Sequence, residues 1–313
     1  MKKKLIFRIL MVLLVVFGCK EAQTAEEVKI NTSQGISLLN KPLIKRQIDS
    51  SLDSLQISNY LSAQRHYKID RNKANNIIWL GRRIAYLGDY KRAIEVFTEG
   101  INKYPDDARF YRHRGHRYIS TRQLDRAVSD FIKASRLIKN TDDIIEPDGI
   151  PNKLNTPVST LHTNIWYHLG LAYYLQKDLN NAKESFYKCL LASKNNDMIV
   201  ATTHWLYMTL QRLGEIVSAE NLLVPITKDM AIIENGSYHN LLLFYKGILT
   251  EEGVTINNFS AINEAVLYGV GNWYYFNDDI ERAKEMFNHI VELGNWSAFG
   301  YIAAEADLSS MEE

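Results

Sequence analysis

Four guanidinium groups and two imidazoles crowd into residues 109–117, where Arg109, Arg112, His113, Arg114, His116 and Arg117 fall in one short stretch. Arginine meets a carboxylate through two parallel hydrogen bonds, so a cluster of this kind facing a groove suits a ligand with acidic groups. His113 and His116 stand three residues apart and share a helix face, as two metal ligands can. No third ligand has a defined spacing, and the surrounding cations repel a metal ion, so neither a metal site nor a cofactor is expected. The chain has no Gly-rich phosphate loop, no nucleophile elbow and no His-Glu-x-x-His helix, and an enzyme is not expected.

The elements that must position these groups are written in an internal repeat. Leu80, Gly81, Gly88, Ala93, Phe97 and Pro105 in residues 74–107 are answered in the next block by Gly115, Tyr118, Leu124, Ala127, Phe131 and Ala134. Gly at the eighth position and Ala at the twentieth of a thirty-four-residue period resembles the tetratricopeptide repeat. Such small residues stand where the two helices of a hairpin, A and B, touch backbone to backbone, and the Phe is expected to fill the gap to the next hairpin. Further copies are read at 108–139, 163–196, 200–233 and 264–295, with a degenerate unit at 240–260. Helices at 46–68 and 296–308 are expected to cap the array. The resemblance implies an all-α fold, a right-handed α-solenoid over residues 44–308. Residues 140–162, with Pro147, Gly149, Pro151 and Pro157, cannot continue a helix and are expected to form an ordered arm.

In this family helix A of each hairpin lines the concave surface. The resemblance therefore nominates Arg82, Arg112, His116, Tyr167, Tyr174, His204, Tyr268 and Asn272 as residues that bind a protein or peptide segment. Ile78, Met208 and Tyr275 are read onto the same face. Tyrosine offers contact area and a hydroxyl at low entropic cost, which suits an acidic peptide or a stacked saccharide. The opposing reading is that half of these tyrosines pack between neighbouring helices. The Lys and Asn of the carboxylate-clamp repeats are replaced by Ile78 and Arg82, so that ligand is not carried over. Arg114 stands at a position where the repeat buries Leu, and a buried guanidinium needs an acid. Glu146 or Asp148 of the arm is its expected partner.

The N-terminus gives an address. Lys2, Lys3, Lys4 and Arg8 precede an apolar run over 9–17, too short to cross a bilayer of roughly 30 Å and shaped like a secretory signal. Val16, Phe17, Gly18 and Cys19 resemble the bacterial lipobox, which implies a signal peptide at 1–19, lipid on Cys19, a flexible tether over 20–43 and a place in the cell envelope, anchored at the outer membrane. Phe17 departs from the small residue usual there. Loss of the four cations leaves 33 Lys+Arg against 36 Asp+Glu, a net charge of −3, so no nucleic-acid partner is expected. Cys189 then has no internal disulfide partner and is read as packing. The expected function is protein–protein interaction or scaffolding by a lipid-anchored protein. The alternatives are a glycan- or peptide-binding outer-membrane lipoprotein and, more remotely, an enzyme.

Overall fold

Helical hairpins follow one another through nearly all of the computed structural model, which describes residues 33–256 and 264–311. The proposed signal peptide, Cys19 and residues 20–32 lie outside the described residues. Helix α1 spans Ser54–Ile69. Six hairpins follow: α2 Ala74–Tyr86 with α3 Tyr90–Lys103, α4 Ala108–Ser120 with α5 Leu124–Leu137, α6 Leu161–Leu175 with α7 Leu179–Ala192, α8 Asn196–Arg212 with α9 Ile216–Leu223, α10 Gly236–Tyr245 with α11 Glu251–Ile256, and α12 Glu264–Phe276 with α13 Ile280–Leu293. The last helix, α14, spans Phe299–Met311. Among the described residues no helix is long and apolar enough to cross a membrane.

The hairpins share one turn. Two residues after each helix A the backbone enters the left-handed region, at Gly88, Arg122, Lys177, Gly214, Gly247 and Asp278. The next amide reaches back to the last turn of helix A, as in Asp89 N to Ile84 O at 3.3 Å, Asp178 N to Tyr173 O at 3.0 Å and Ile248 N to Leu243 O at 2.9 Å. That pattern satisfies carbonyls the helix end leaves open. Asp89, Asp178 and Asp279 then cap helix B through their carboxylates. The unit that is degenerate in sequence closes with the same geometry as the others.

Packing inside each hairpin rests on a glycine under a ring. A Cβ added to Gly81 would meet Phe97 at 2.5 Å, one on Gly115 would meet Phe131 at 2.9 Å, and one on Gly170 would meet Phe186 at 2.6 Å. Each of these rings is buried, a contribution of about 1.5–3 kcal/mol apiece. The A helices of successive hairpins touch, forming an inner layer, while the B helices lie outside.

Three features depart from the sequence expectations. Part of the stretch read as a tether is structured: β1 Ser33–Ile36 and β2 Pro42–Ile44 pair antiparallel. This β-hairpin sits on the first two hairpin turns, with Lys91 N donating to Gln34 Oε1 at 3.0 Å and Lys45 paired to Asp89 at 3.1 Å. Residues 46–53 precede the first helix rather than belonging to it. The final helix does more than cap the end, because Gly300 through Leu308 are buried on every side.

Candidate functional site: the inner face of the array

The inner face divides into two halves, each covered by a different piece of the chain. In the N-terminal half the 140–162 arm folds back across α2 and α4. It is tied to the start of α6 by an isolated bridge between Ile145 and Thr160 and by Leu161 N donating to Ile144 O at 2.9 Å. Gly149 lies so close to the Tyr86 hydroxyl that a Cβ there would collide with it.

The arm meets the arginines of the inner face. Arg112 Nε lies 3.0 Å from Glu146 Oε2, an ion pair off the line of a good hydrogen bond, and His113 Nε2 is 3.7 Å from Glu146 Oε1. Asn164 Nδ2 donates to the same carboxylate at 3.2 Å. Arg82 donates to Pro147 O at 2.8 Å and Arg83 to Gly149 O at 2.6 Å, and both guanidiniums lie over the Trp79 ring. Arg114 is not the arm's partner. Its guanidinium grips Asp130 of its own hairpin through Nε and Nη2, both at 2.7 Å, with Nη1 donating to Thr98 at 3.0 Å. The expected acid came from helix B because position 114 faces α5, while position 112 faces the arm. A cavity of about 230 Å³ remains between Trp79, Ile78, Arg82, Arg109, His113 and the arm residues Ile144 to Pro147.

Arg117 is the odd member of the cluster. Among the described residues it has neither an ion pair nor a hydrogen bond from its side chain, and its guanidinium lies 5.1 Å over the Tyr90 ring. Burial pushes its pKa down to about 10, Tyr90 and Tyr86 oppose that shift, and the neighbouring Arg112 and Arg82 add to it.

The C-terminal half of the inner face is closed by α14. Asp307 accepts both Nη groups of Arg212 at 2.7 Å, the Tyr268 hydroxyl at 2.8 Å and the Lys177 ammonium. Burial alone would raise its pKa, but Arg212 and Lys177 hold it below the usual aspartate value. Glu305 takes Arg122 Nε at 2.7 Å and the Leu38 amide at 3.1 Å.

The residues nominated from sequence are therefore spread over different environments. Arg82 and Arg112 are together under the arm. His116 is stacked 5.3 Å from Phe299, and its ring lies tilted 4.4 Å from His168. Tyr167 packs edge-on to His168 and Phe186. Tyr174, His204, Tyr268 and Asn272 are fully buried and line no open groove. Tyr174 OH lies 2.8 Å from Tyr268 OH, Asn272 Oδ1 accepts Arg212 Nε at 2.5 Å, and the His204 ring lies 4.9 Å from Tyr238 and 5.8 Å from Tyr245. Burial drives the His204 imidazole down to about 3. The tyrosine-rich half of the expected binding face is thus interior, because α14 occupies the space a partner would need. Sequence reasoning missed Arg122, Lys177, Arg212, Glu305 and Asp307. The available signal was two acids on a helix otherwise made of Ile302, Ala303, Ala304, Ala306 and Leu308, and an Arg at a turn position that favours glycine. Cys189 is buried, its pKa raised by burial to about 12, and it contacts Thr202 at 3.2 Å. Among the described residues no three His, Cys, Asp or Glu side chains gather as a metal site.

The tetratricopeptide repeat family model matches residues 163–196, the hairpin of α6 and α7. Comparison with curated proteins finds no match. Similar solved structures include YrrB, described as a TPR protein with an unusual peptide-binding site, at 14% identity over 80% of this chain and 98% of that one with a TM-score of 0.41. The pilF protein of Pseudomonas aeruginosa is 16% identical over 84% of this chain and 94% of that one, with a TM-score of 0.45. MamA AMB-1 is 16% identical over 63% of this chain and 94% of that one, with a TM-score of 0.41. The chain thus carries a tetratricopeptide repeat at residues 163–196, set in an all-α array whose five other hairpins close with the same turn.

Proposed function

We propose that this chain is a protein-interaction or scaffolding module of the bacterial cell envelope, exported and held at a membrane by lipid on Cys19. A repeat array of this kind presents a rigid surface assembled from residues far apart in sequence, and interaction is the function such surfaces serve. The observation that carries the placement of the binding face is the cationic region on α2 and α4. There Arg117 has no acid partner among the described residues, and Arg82 and Arg83 donate to neutral carbonyls. A partner carrying carboxylates gains charge-assisted hydrogen bonds from these groups without displacing an existing ion pair. A saccharide reading is less well supported, since Tyr174, Trp205 and Tyr268 pack against one another in the interior instead of forming an accessible wall.

Photocrosslinking in the living cell tests the placement. A crosslinking residue at Trp79 is expected to trap the partner, while one at Leu191, exposed on the outer helix α7, is not. Equal trapping at both positions, or trapping at Leu191 alone, would remove the inner face from consideration. The anchor is tested separately: Cys19→Ser should abolish incorporation of labelled palmitate, and unchanged labelling refutes it.

A further inference from the structure

The first helix does not look like the end cap of a solenoid. Terminal units of such arrays need a polar outer face because nothing stacks beyond them. Helix α1 buries only Ala63 fully, and the side turned away from the hairpins carries Leu55, Leu61 and Ile69 at 67%, 44% and 81% exposure, with Leu52 at 85% in the turn just before it. Leu55, Ser58, Leu61, Arg65, Lys68 and Ile69 follow one another at helical spacings of three and four, apart from the final adjacent pair, so they share one face. The same face has cations and no acid: α1 contains no Asp or Glu, and Arg65 and Lys68 form no ion pair among the described residues. Scattered surface leucines need no explanation, but large aliphatic side chains concentrated beside unpaired cations do.

We propose that this face of α1 docks on an anionic lipid surface. Aliphatic side chains enter the headgroup boundary while Arg and Lys extend along them to lipid phosphates, so apolar and basic groups act together. Charge complementarity argues against a second copy of this chain as the occupant, because two copies of an all-cationic face repel. The N-terminal segment points the same way. The described chain begins at Ser33, so thirteen residues lie between it and Cys19, a span of at most about 50 Å when extended. The inference rests on the membrane-held reading above and adds which surface of the fold faces the bilayer: α1 toward lipid, with the later hairpins extending away.

Site-specific fluorescence on the full lipid-bearing chain tests it. Cys189 is buried and its thiol is held protonated, so Ser58→Cys and Leu191→Cys each give one reactive site for an environment-sensitive dye. The chain is reconstituted on vesicles of phosphatidylcholine alone or with phosphatidylglycerol, and a lipid-attached quencher reports depth. The dye at position 58 should be quenched on phosphatidylglycerol vesicles and much less at high salt or on phosphatidylcholine. The dye at 191 should remain in water throughout. Arg65→Gln with Lys68→Gln should weaken the docked state by on the order of tenfold. A protein that floats with the vesicles while position 58 stays in water overturns this inference and leaves the anchor intact. A protein that does not float at all overturns both. Shielding of position 58 in the absence of vesicles assigns the face to a second copy.

Discussion

Arg122→Gly is a substitution for which local and tertiary reasoning disagree. Position 122 is the left-handed turn residue of its hairpin, with φ at 61°, where three other hairpins carry glycine at Gly88, Gly214 and Gly247. On backbone grounds glycine should help, since a side chain in this region costs roughly 1–2 kcal/mol. The guanidinium, however, is nearly inaccessible and holds three acceptors: Glu305 Oε2 and Ser120 O at 2.7 Å and Trp296 O at 2.8 Å. Glu305 is fully buried, and losing one member of a buried ion pair costs about 3–5 kcal/mol because the other is left uncompensated. The tertiary loss exceeds the local gain, and a net destabilisation of about 1–4 kcal/mol is expected. Urea unfolding followed by circular dichroism gives the number, with Asp278→Gly as the matched control. Asp278 has φ at 63° and its side chain makes no ion pair among the described residues, so glycine there should stabilise by about 0.5–1 kcal/mol. If Arg122→Gly is neutral or stabilising, the Arg122–Glu305 pair does not hold α14 and the account of the closed inner face fails.

Asp307→Asn should cost about 3–5 kcal/mol by the same argument, measured by the same unfolding assay. Because the folded pKa of Asp307 is depressed, its contribution is present above the ordinary aspartate pKa and is lost as pH falls through the folded value. His113, His116, His168 and His204 are all held well below their usual pKa, chiefly by burial. The unfolded chain binds protons below about pH 6.5 that the folded chain refuses, so the urea midpoint should fall between pH 7 and pH 5; a flat profile contradicts their burial. Gly170→Ala places a Cβ 2.6 Å from the Phe186 ring and should lower stability by about 1–3 kcal/mol, whereas Gly236→Ala, with open space around it, should change it little. Arg114→Leu leaves Asp130 alone and should destabilise, while Arg114→Leu with Asp130→Leu should recover most of that loss in thermal melts.

The hairpin repeat was legible because its spelling is local. Gly81 under Phe97 and Gly170 under Phe186 are contacts between residues sixteen apart, and every good copy writes them at the same offset. The β-hairpin was hidden because each strand spans only four residues or fewer and gains its order from the turns it covers. The arm is readable as an ordered loop from its prolines, yet the arginine it meets is Arg112, two residues and about half a turn from the expected Arg114. Helix periodicity alone does not tell which of two adjacent arginines faces a loop and which faces helix B. The candidate site suffered most from non-local contacts. Tyr268 and Asn272 look like groove residues until Asp307 and Arg212 are brought against them, a juxtaposition between elements up to 95 residues apart.

Repeat arrays ordinarily fold as a row of neighbours, any stretch of which can form ahead of the rest. Here α14 fastens the row into a circuit: it joins Leu38 of the β-hairpin, Arg122 of the second unit, Lys177 of the third and Arg212 of the fourth. Until that helix docks, the cations meant for Glu305 and Asp307 face water and the layer of A helices has no filling. The earlier hairpins can assemble ahead of it, but the native interior cannot dry before α14 docks. Contacts spanning up to 267 residues also raise the contact order above that of an open solenoid, which slows the final step of folding. The same closure ties the fate of the first units to the last, so that a nick before α14 loosens both ends of the protein at once.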